Sequence, residues 1–263
     1  MNMQRVPVLM YHRVGTVRDR HEARYAITPA NFEAHMQELA RADYQAVSMD
    51  AFLAWLETGQ SLPKGAFLLT FDDGYRGVLE HAQPVLADLR WPFNVFLVSD
   101  MIGGMDTWIE PADAKHASHP LLNAREILDM RQHGCAFHSH ARSHPRLTEL
   151  SDAELADQLA GSRATLAKLL GHDVDCLAYP YGLHDDRVVA ATQAAGYRAA
   201  FSTKSGFNSV SPDRYRIRRL DIYGNDTPAM LLRKIRFGSN DGRLSTVAGY
   251  YLRNIAARIG GRS

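Results

Sequence analysis

Apolar and polar positions along the chain follow a pattern typical of repeated strand–helix units. The strand-like runs are short and almost continuously apolar, as in strands buried on both faces of a parallel sheet. They are predicted over residues 6–11, 46–48, 66–69, 93–98, 135–137, 175–179, 197–201 and 216–222. Because helical segments separate most of these runs, the pattern indicates an α/β protein with a parallel sheet or barrel.

The predicted helices begin at recognisable capping residues. Thr28 is a candidate N-cap, and Pro29 after it suits the first helical position, where its missing N–H does no harm. Ser151 and Glu154 form a candidate capping box at the start of a helix that extends to about residue 170. Further helices are predicted around residues 52–55, 76–89, 125–132 and 185–195. The connection over residues 99–123 is long for a compact domain, and connections of this length are usually functional or mobile.

Length and composition indicate a soluble protein with one large domain. The chain has 263 residues, of which 46% are apolar and 22% charged, enough for a substantial core. The first 14 residues lack the pattern of a signal peptide, and no apolar run approaches the ~18 residues that span a bilayer. Cys135 and Cys176 are predicted to be buried thiols without a disulfide framework. These features predict a cytoplasmic location.

Positive charge is concentrated towards the C-terminus. The net charge is +1, but residues 204–263 carry twelve Lys/Arg against four Asp, a local charge of +8, which leaves −7 for the rest. This asymmetry indicates an anionic partner for the C-terminal segment. Few aromatic residues that could stack on bases lie between its basic residues, so the expected partner is not nucleic acid. Residues 244–259 show an apolar stripe typical of a helix that closes the domain. The alternative is a basic amphipathic helix that rests on an anionic membrane.

The strand predicted over residues 66–69 leads to two adjacent carboxylates, Asp72 and Asp73, followed by Gly74. Two like charges side by side are costly unless a cation or a proton is shared between them. Taken alone, these residues also suit an ordinary solvated turn. Two more polar motifs follow strand-like runs, the pair His140 and His144 and the sequence Tyr-Pro-Tyr-Gly at residues 179–182.

All these motifs fall where strands end, and in parallel α/β folds the carboxyl ends of the strands form the active face. A helical turn between His140 and His144 would bring both imidazoles to one face, with Cβ atoms about 5–6 Å apart. With one carboxylate they would make a catalytic metal site with open positions. The alternative for this pair alone is surface or core histidines.

The order of the motifs resembles the polysaccharide deacetylase family, carbohydrate esterase family 4, which is defined by the NodB-homology domain. The resemblance extends over about residues 6–220. It implies an α/β fold, a distorted (β/α)7 barrel, with a catalytic domain over residues 1–225 and a basic helical extension over residues 226–263. It also implies a metal-dependent hydrolase that removes the N-acetyl group from an amino sugar.

The resemblance also implies a role for each motif. Asp73, His140 and His144 match the metal ligands, with zinc as the expected ion and cobalt, nickel or iron as alternatives. Asp72 matches the general base that takes a proton from the attacking water. The backbone N–H of Tyr181 matches the position that stabilises the oxyanion.

The sequence departs from the common family pattern at three places. Ala141 replaces the usual hydroxyl residue after the first ligand histidine, and Ala178 replaces the arginine that orients the base. The late Leu-x-His motif that supplies the general acid is absent. The first strand, however, ends in a Tyr-His pair similar to the signature of the poly-N-acetylglucosamine deacetylase branch, which assigns the acid to His12. His138 and His184 are the alternatives.

The expected substrate is therefore an N-acetylated glycan. A lipid-linked or precursor glycan on the cytoplasmic side fits the predicted location, with peripheral contact between the basic C-terminus and an anionic membrane. Two alternatives stay open. One is a peptidoglycan or exopolysaccharide deacetylase, and the other is a catalytically weak carbohydrate-binding member of the fold, which Ala141 and Ala178 would explain.

Overall fold

Ten strands and eight α-helices alternate along the part of the chain that the computed structural model describes, residues 4–18, 20, 22–108, 118–210 and 213–243. The strands are β1 Val8–Tyr11, β2 Arg13–Val14, β3 Ala26–Ile27, β4 Gln45–Ala46, β5 Ala66–Phe71, β6 Phe93–Leu97, β7 Cys135–Ser139, β8 Cys176–Ala178, β9 Ala199–Phe201 and β10 Leu220–Asp221. The helices are α1 Pro29–Arg41, α2 Met49–Thr58, α3 Gln83–Leu89, α4 Ala124–Arg131, α5 Asp152–Ala156, α6 Ser162–Leu170, α7 Asp186–Ala194 and α8 Pro228–Phe237.

Seven parallel strands form the main sheet, in the order β10-β1-β5-β6-β7-β8-β9, and β4 adds to β5. Phe201 at the end of β9 also bridges Ile217 in parallel, so the chain approaching β10 lies against the opposite edge strand. The sheet therefore curls into the distorted (β/α)7 barrel that the family resemblance implies. Tyr11 pairs with Phe71, which brings His12 and Asp72 to the same level at the carboxyl ends of neighbouring strands.

Two clusters of buried apolar side chains lie on opposite faces of the sheet, because successive residues of a strand point to opposite sides. Leu9 and Leu69 belong to the cluster beneath the surrounding helices. Their neighbours Val8 and Leu68 belong to the second cluster, which α2 completes with side chains such as Trp55. Both faces of the sheet are thus covered, which explains why its strands read as continuous apolar runs.

The capping predictions are confirmed. The Thr28 side chain accepts a hydrogen bond from the Asn31 N–H at the start of α1, and Ser151 forms the capping box with Glu154 at the start of α5. The long helix predicted after Ser151 is interrupted by a π-helical turn, Asp157–Gly161, between α5 and α6. Single π-helical turns inside α-helices occur frequently at functional sites.

The last described helix, α8, packs against α1 and is anchored by a buried lysine. The ammonium group of Lys234 binds the carboxylate of Asp226 and the backbone carbonyl of Asp221. The amphipathic segment predicted over residues 244–259 lies outside the described residues, and the domain boundary after residue 225 stays a prediction. In the described part of the chain, no helix has the length and apolar character needed to cross a membrane. Both cysteines are buried free thiols, as predicted.

Candidate active site

The acidic pair occupies the turn directly after β5, and its two carboxylates have different partners. Asp73 and Gly74 both have left-handed backbone conformations, with φ of 74° and 78°. A side chain at Gly74 would place its Cβ 2.7 Å from a Leu97 methyl carbon and would strain the left-handed backbone, so this position favours glycine.

Asp73 faces both histidines of the second motif. Its Oδ1 atom lies 3.5 Å from Nε2 of His140 and 3.4 Å from Nε2 of His144. All three side chains are buried, and their candidate ligand atoms lie within 4.8 Å of one another. Among the described residues, Oδ1 of Asp73 has no hydrogen-bond partner, although buried carboxylate oxygens normally have one. One carboxylate oxygen and two imidazole nitrogens that face one another at these distances form a set of ligands that fits a divalent cation.

The protonation of the histidines also suits a cation. His140 Nδ1 lies 2.7 Å from the carbonyl oxygen of Ala178, which assigns the proton to Nδ1 and leaves the Nε2 lone pair facing Asp73. Burial lowers the pKa of His140, and burial together with His140 lowers the pKa of His144 to about 2. Burial and the neighbouring Asp72 raise the pKa of Asp73 well above its usual value. A cation would offset that cost by stabilising the ionised carboxylate.

The segment that carries the two histidines is a loop and does not form the helical turn that their spacing would allow. Ala141 and His144 are both left-handed, with φ of 63° and 61°, which bends the loop twice. The two imidazole centroids nevertheless lie 4.8 Å apart. The hydroxyl groups near Ala141 come from other residues. Ser139 accepts the Ala141 N–H at 3.2 Å, and Ser162 donates to the Ala141 carbonyl at 3.1 Å.

Arg219 provides the positive charge that Ala178 does not. Its guanidinium group donates two hydrogen bonds to Asp72, at 2.6 and 2.8 Å, and a third to the carbonyl of Ser202 at 2.9 Å. Both side chains of the pair are almost fully buried. Burial would raise the pKa of Asp72, but the charge and hydrogen bonds of Arg219, together with His140, lower it to about 2. Arg219 therefore controls the pKa of Asp72 in place of the arginine that Ala178 replaces.

The sequence motifs did not identify Arg219. It comes after the last family motif along the chain, in the strand predicted over residues 216–222. A signal was present, since Arg219 and Asp221 alternate with the buried apolar residues Leu220 and Ile222. An arginine that lies between buried apolar residues of a strand is itself buried, and a buried arginine indicates a buried anionic partner. The alternation alone does not identify that partner as Asp72.

The structure brings His12 close to the acidic pair. His12 follows β1, and the charges of Asp72, Arg219 and His140 all act on its imidazole. Burial is the largest effect and lowers the pKa of His12 to about 4. The edge of its ring contacts Tyr25, with centroids 5.4 Å apart.

The two alternative acids have other surroundings. His138 lies 3.2 Å from the side-chain oxygen of Asn94 through Nε2 and packs against Phe96. His184 donates from Nδ1 to the Gly182 carbonyl at 2.9 Å and stacks on Tyr179. Of the three candidate acids, His12 is therefore the one whose described surroundings include Asp72.

Aromatic rings flank the candidate metal ligand His144. The Trp108 ring stacks on it with centroids 4.8 Å apart, and Tyr181 meets it edge-on at 4.5 Å. Tyr181 has a left-handed backbone, with φ of 58°, and its ring is exposed beneath the guanidinium group of Arg146. Exposed aromatic faces beside a polar centre suit the apolar face of a sugar ring.

Known proteins share the sequence pattern and the fold of this chain. The family model described as polysaccharide deacetylase matches residues 59–200. The poly-beta-1,6-N-acetyl-D-glucosamine N-deacetylase of Staphylococcus epidermidis is 24% identical over 219 residues, which cover 80% of this chain and 72% of the relative. The solved structure of the Streptococcus pyogenes deacetylase PplD in complex with acetate has a TM-score of 0.76 and 22% identity, and the match covers 89% of this chain and 99% of that one. A polysaccharide deacetylase from Bacillus cereus has a TM-score of 0.71 and 26% identity, with 86% and 67% covered. Because the family model matches more than half of the chain, the chain belongs to the polysaccharide deacetylase family, whose members are hydrolases.

Proposed function

We propose that this protein is a metal-dependent N-deacetylase that hydrolyses the acetamide of an N-acetylated amino sugar in a glycan. The observation that carries the proposal is the buried Oδ1 atom of Asp73. It has no hydrogen-bond donor in the described part of the chain and lies within 3.5 Å of two histidine nitrogens. The relative from Staphylococcus epidermidis is named for poly-β-1,6-N-acetylglucosamine, which supports N-acetylglucosamine as the sugar.

Asp73, His140 and His144 would hold the cation. One carboxylate and two neutral imidazoles suit zinc best, with cobalt, nickel or iron as alternatives. When bound, the ion acts as a Lewis acid that polarises the acetamide carbonyl and activates water at neutral pH.

Asp72 is the proposed general base. Its pKa of about 2 keeps the carboxylate ionised at neutral pH. Arg219 binds both carboxylate oxygens, but each oxygen keeps a second lone pair that can accept a proton from the attacking water. The two hydrogen bonds from Arg219 also hold the carboxylate in one orientation, as a base must be held for efficient proton transfer.

His12 is the proposed carrier of the proton to the leaving amine. The nitrogen must be protonated as the C–N bond breaks, because an amide anion is a very poor leaving group. With a pKa of about 4, His12 is neutral at pH 7 and can take up the proton that Asp72 has gained from water. It then delivers this proton to the nitrogen, so that one water is consumed and the products are a free amine and acetic acid, which ionises to acetate at neutral pH.

The backbone N–H of Tyr181 is the proposed donor to the oxyanion, and the rings of Trp108 and Tyr181 are the proposed walls for the sugar. Ala141 and Ala178 lack the polar groups that most of the family has at these positions. Arg219 and the hydroxyl groups of Ser139 and Ser162 provide such groups from elsewhere in the fold. They argue against the alternative of a catalytically weak carbohydrate-binding protein. The lipid-linked precursor, the cytoplasmic location and the membrane contact stay predictions from the sequence.

The proposal is tested by measuring metal content and acetate release on the same preparations. N-acetylated β-1,6-linked glucosamine oligomers are the first substrate, followed by chitin oligomers, peptidoglycan and lipid-linked N-acetyl sugars. We expect one divalent ion per chain in the wild type, and loss of both the ion and the activity in His140→Ala. His133→Ala, at an exposed position after α4, is the matched control and should retain both. Full metal content in His140→Ala, or no acetate from any N-acetylated glycan, would contradict the proposal.

A further inference from the structure

Gln158 uses all its side-chain polar groups on the loop between the two candidate metal ligands. Its Oε1 atom accepts the backbone N–H of Arg142 at 3.0 Å and that of Ser143 at 3.1 Å. Its Nε2 atom donates to the hydroxyl of Ser143 at 3.0 Å. One side chain thus binds two consecutive residues of the loop.

The loop needs such a support because its backbone is strained. Ala141 and His144 flank the two bound residues, and both have left-handed conformations that residues with a Cβ rarely adopt. Strained conformations of this kind persist only where the surroundings impose them. His144 reaches Asp73 only through the second of these bends, so the position of its Nε2 depends on the loop backbone.

The support comes from the π-helical turn between α5 and α6. This turn, Asp157–Gly161, carries Gln158, and its first residue binds the guanidinium group of Arg142 at 2.6 and 2.8 Å. Ser162 directly after it donates to the carbonyl of Ala141 at 3.1 Å. Three consecutive loop residues are therefore bound by one short segment, and Gln158 makes the two contacts to backbone N–H groups.

We propose that Gln158 is a positioning residue for the metal site. By holding the backbone of Arg142 and Ser143, it places the His144 imidazole so that its Nε2 converges with Nε2 of His140 and Oδ1 of Asp73 on one cation. This inference rests on the proposed function, since it assumes that the three side chains bind a metal. Residues that orient metal ligands typically change metal affinity by 10- to 100-fold when they are replaced.

The test compares variants of Gln158 in the full-length protein. Gln158→Leu is similar in size but cannot accept either N–H. Gln158→Glu keeps an oxygen that can accept both N–H groups, and the Ser143 hydroxyl can rotate to donate to the other oxygen. Gln37→Leu is the matched control, because Gln37 is an exposed residue of α1 whose side chain hydrogen-bonds to Glu33 and Arg41 of the same helix. Affinity for Zn²⁺ is measured by competition with a chromophoric chelator, and the ligand geometry by the visible spectrum of the Co²⁺ form.

We expect Gln158→Leu to bind Zn²⁺ about 10- to 100-fold more weakly and to show an altered Co²⁺ spectrum. Gln158→Glu and Gln37→Leu should both remain within about threefold of the wild type and keep its spectrum. Should Gln158→Leu fail to fold, Gln158→Asn replaces it, because the shorter side chain cannot reach both N–H groups and should also weaken binding.

Each outcome separates this inference from the proposed function. A wild-type protein that binds no divalent ion contradicts the proposed function itself. A wild type that binds metal, together with a Leu or Asn variant of equal affinity and unchanged Co²⁺ spectrum, contradicts the positioning role alone. An equal loss of Zn²⁺ affinity in Gln158→Glu would also overturn the positioning role, since that variant keeps an oxygen that can accept both N–H groups.

Discussion

The buried pair of Arg219 and Asp72 allows a quantitative test that does not depend on the substrate. The exposed fractions of the two side chains are 0% and 3%, and two hydrogen bonds of 2.6 and 2.8 Å join them. Arg219→Met removes the positive charge and all its donors while keeping an unbranched side chain in place. Asp72 is then left as a buried carboxylate without its main counter-charge.

The expected cost follows from the burial of the pair. Removing one partner of a buried ion pair typically costs about 3–5 kcal/mol of unfolding free energy, because the other charge is left uncompensated. For a chain of this size, each kcal/mol lowers Tm by about 2–4 °C, so Arg219→Met should lower Tm by about 6–20 °C. Adding Asp72→Asn removes the orphaned charge and should recover most of this loss.

Thermal unfolding followed by circular dichroism, on metal-free samples at pH 7, measures the four members of this cycle. The reasoning is refuted if Arg219→Met lowers Tm by less than about 3 °C, or if the double variant is no more stable than Arg219→Met.

The pH dependence gives a second check. The pKa of Asp72 is about 2 in the folded protein, below its usual 3.8, so its ionised form contributes stability above about pH 4 that is lost as the pH falls towards 2. In Arg219→Met, burial without the counter-charge raises this pKa, and the acid limb of kcat/KM should move to higher pH.

Three further predictions concern the site and the core. Asp72→Asn should abolish acetate release while retaining the metal, and Asp73→Asn should lose the metal; equal metal loss in both variants would reverse the two roles. His12→Ala should lose about 10²–10⁴-fold in kcat with its metal and fold intact, whereas an unaffected His12→Ala beside an inactive His184→Ala would move the role to His184. Lys234→Met should lower the unfolding free energy by about 3–5 kcal/mol, because its buried carboxylate partner is left unpaired, and an unchanged Tm would contradict the importance of that pair.

The sequence alone determined the order of the elements and most of the residues that meet at the site. Continuous apolar runs marked the strands, because strands covered on both faces leave no polar alternation. The capping residues at Thr28 and Ser151 located two helix starts, since an N-cap depends only on nearby backbone groups. The positions of Asp72, Asp73, His140 and His144 after such runs predicted their convergence, because the carboxyl ends of parallel strands share one edge.

Local pattern did not predict the conformation of the loop after β7. The spacing of His140 and His144 suggested a helical turn, but both Ala141 and His144 are left-handed in the structure. Gln158, which supports this loop, lies in a helical segment with no motif of its own. Its role depends on a π-helical turn and on contacts across 15 or 16 positions of sequence, which helical periodicity does not encode.

The tertiary structure also decided which charge controls the general base. Ala178 suggested that Asp72 lacks a positive counter-charge. Arg219, 147 positions away from Asp72 in the sequence, provides that charge. β10 pairs with β1 and β1 pairs with β5, and this strand order brings the two side chains together. A motif read along the chain reports side chains that are close in sequence. An ion pair in a barrel requires only that its partners be close in space, and the strand order that creates this proximity is set by the packing of the whole sheet.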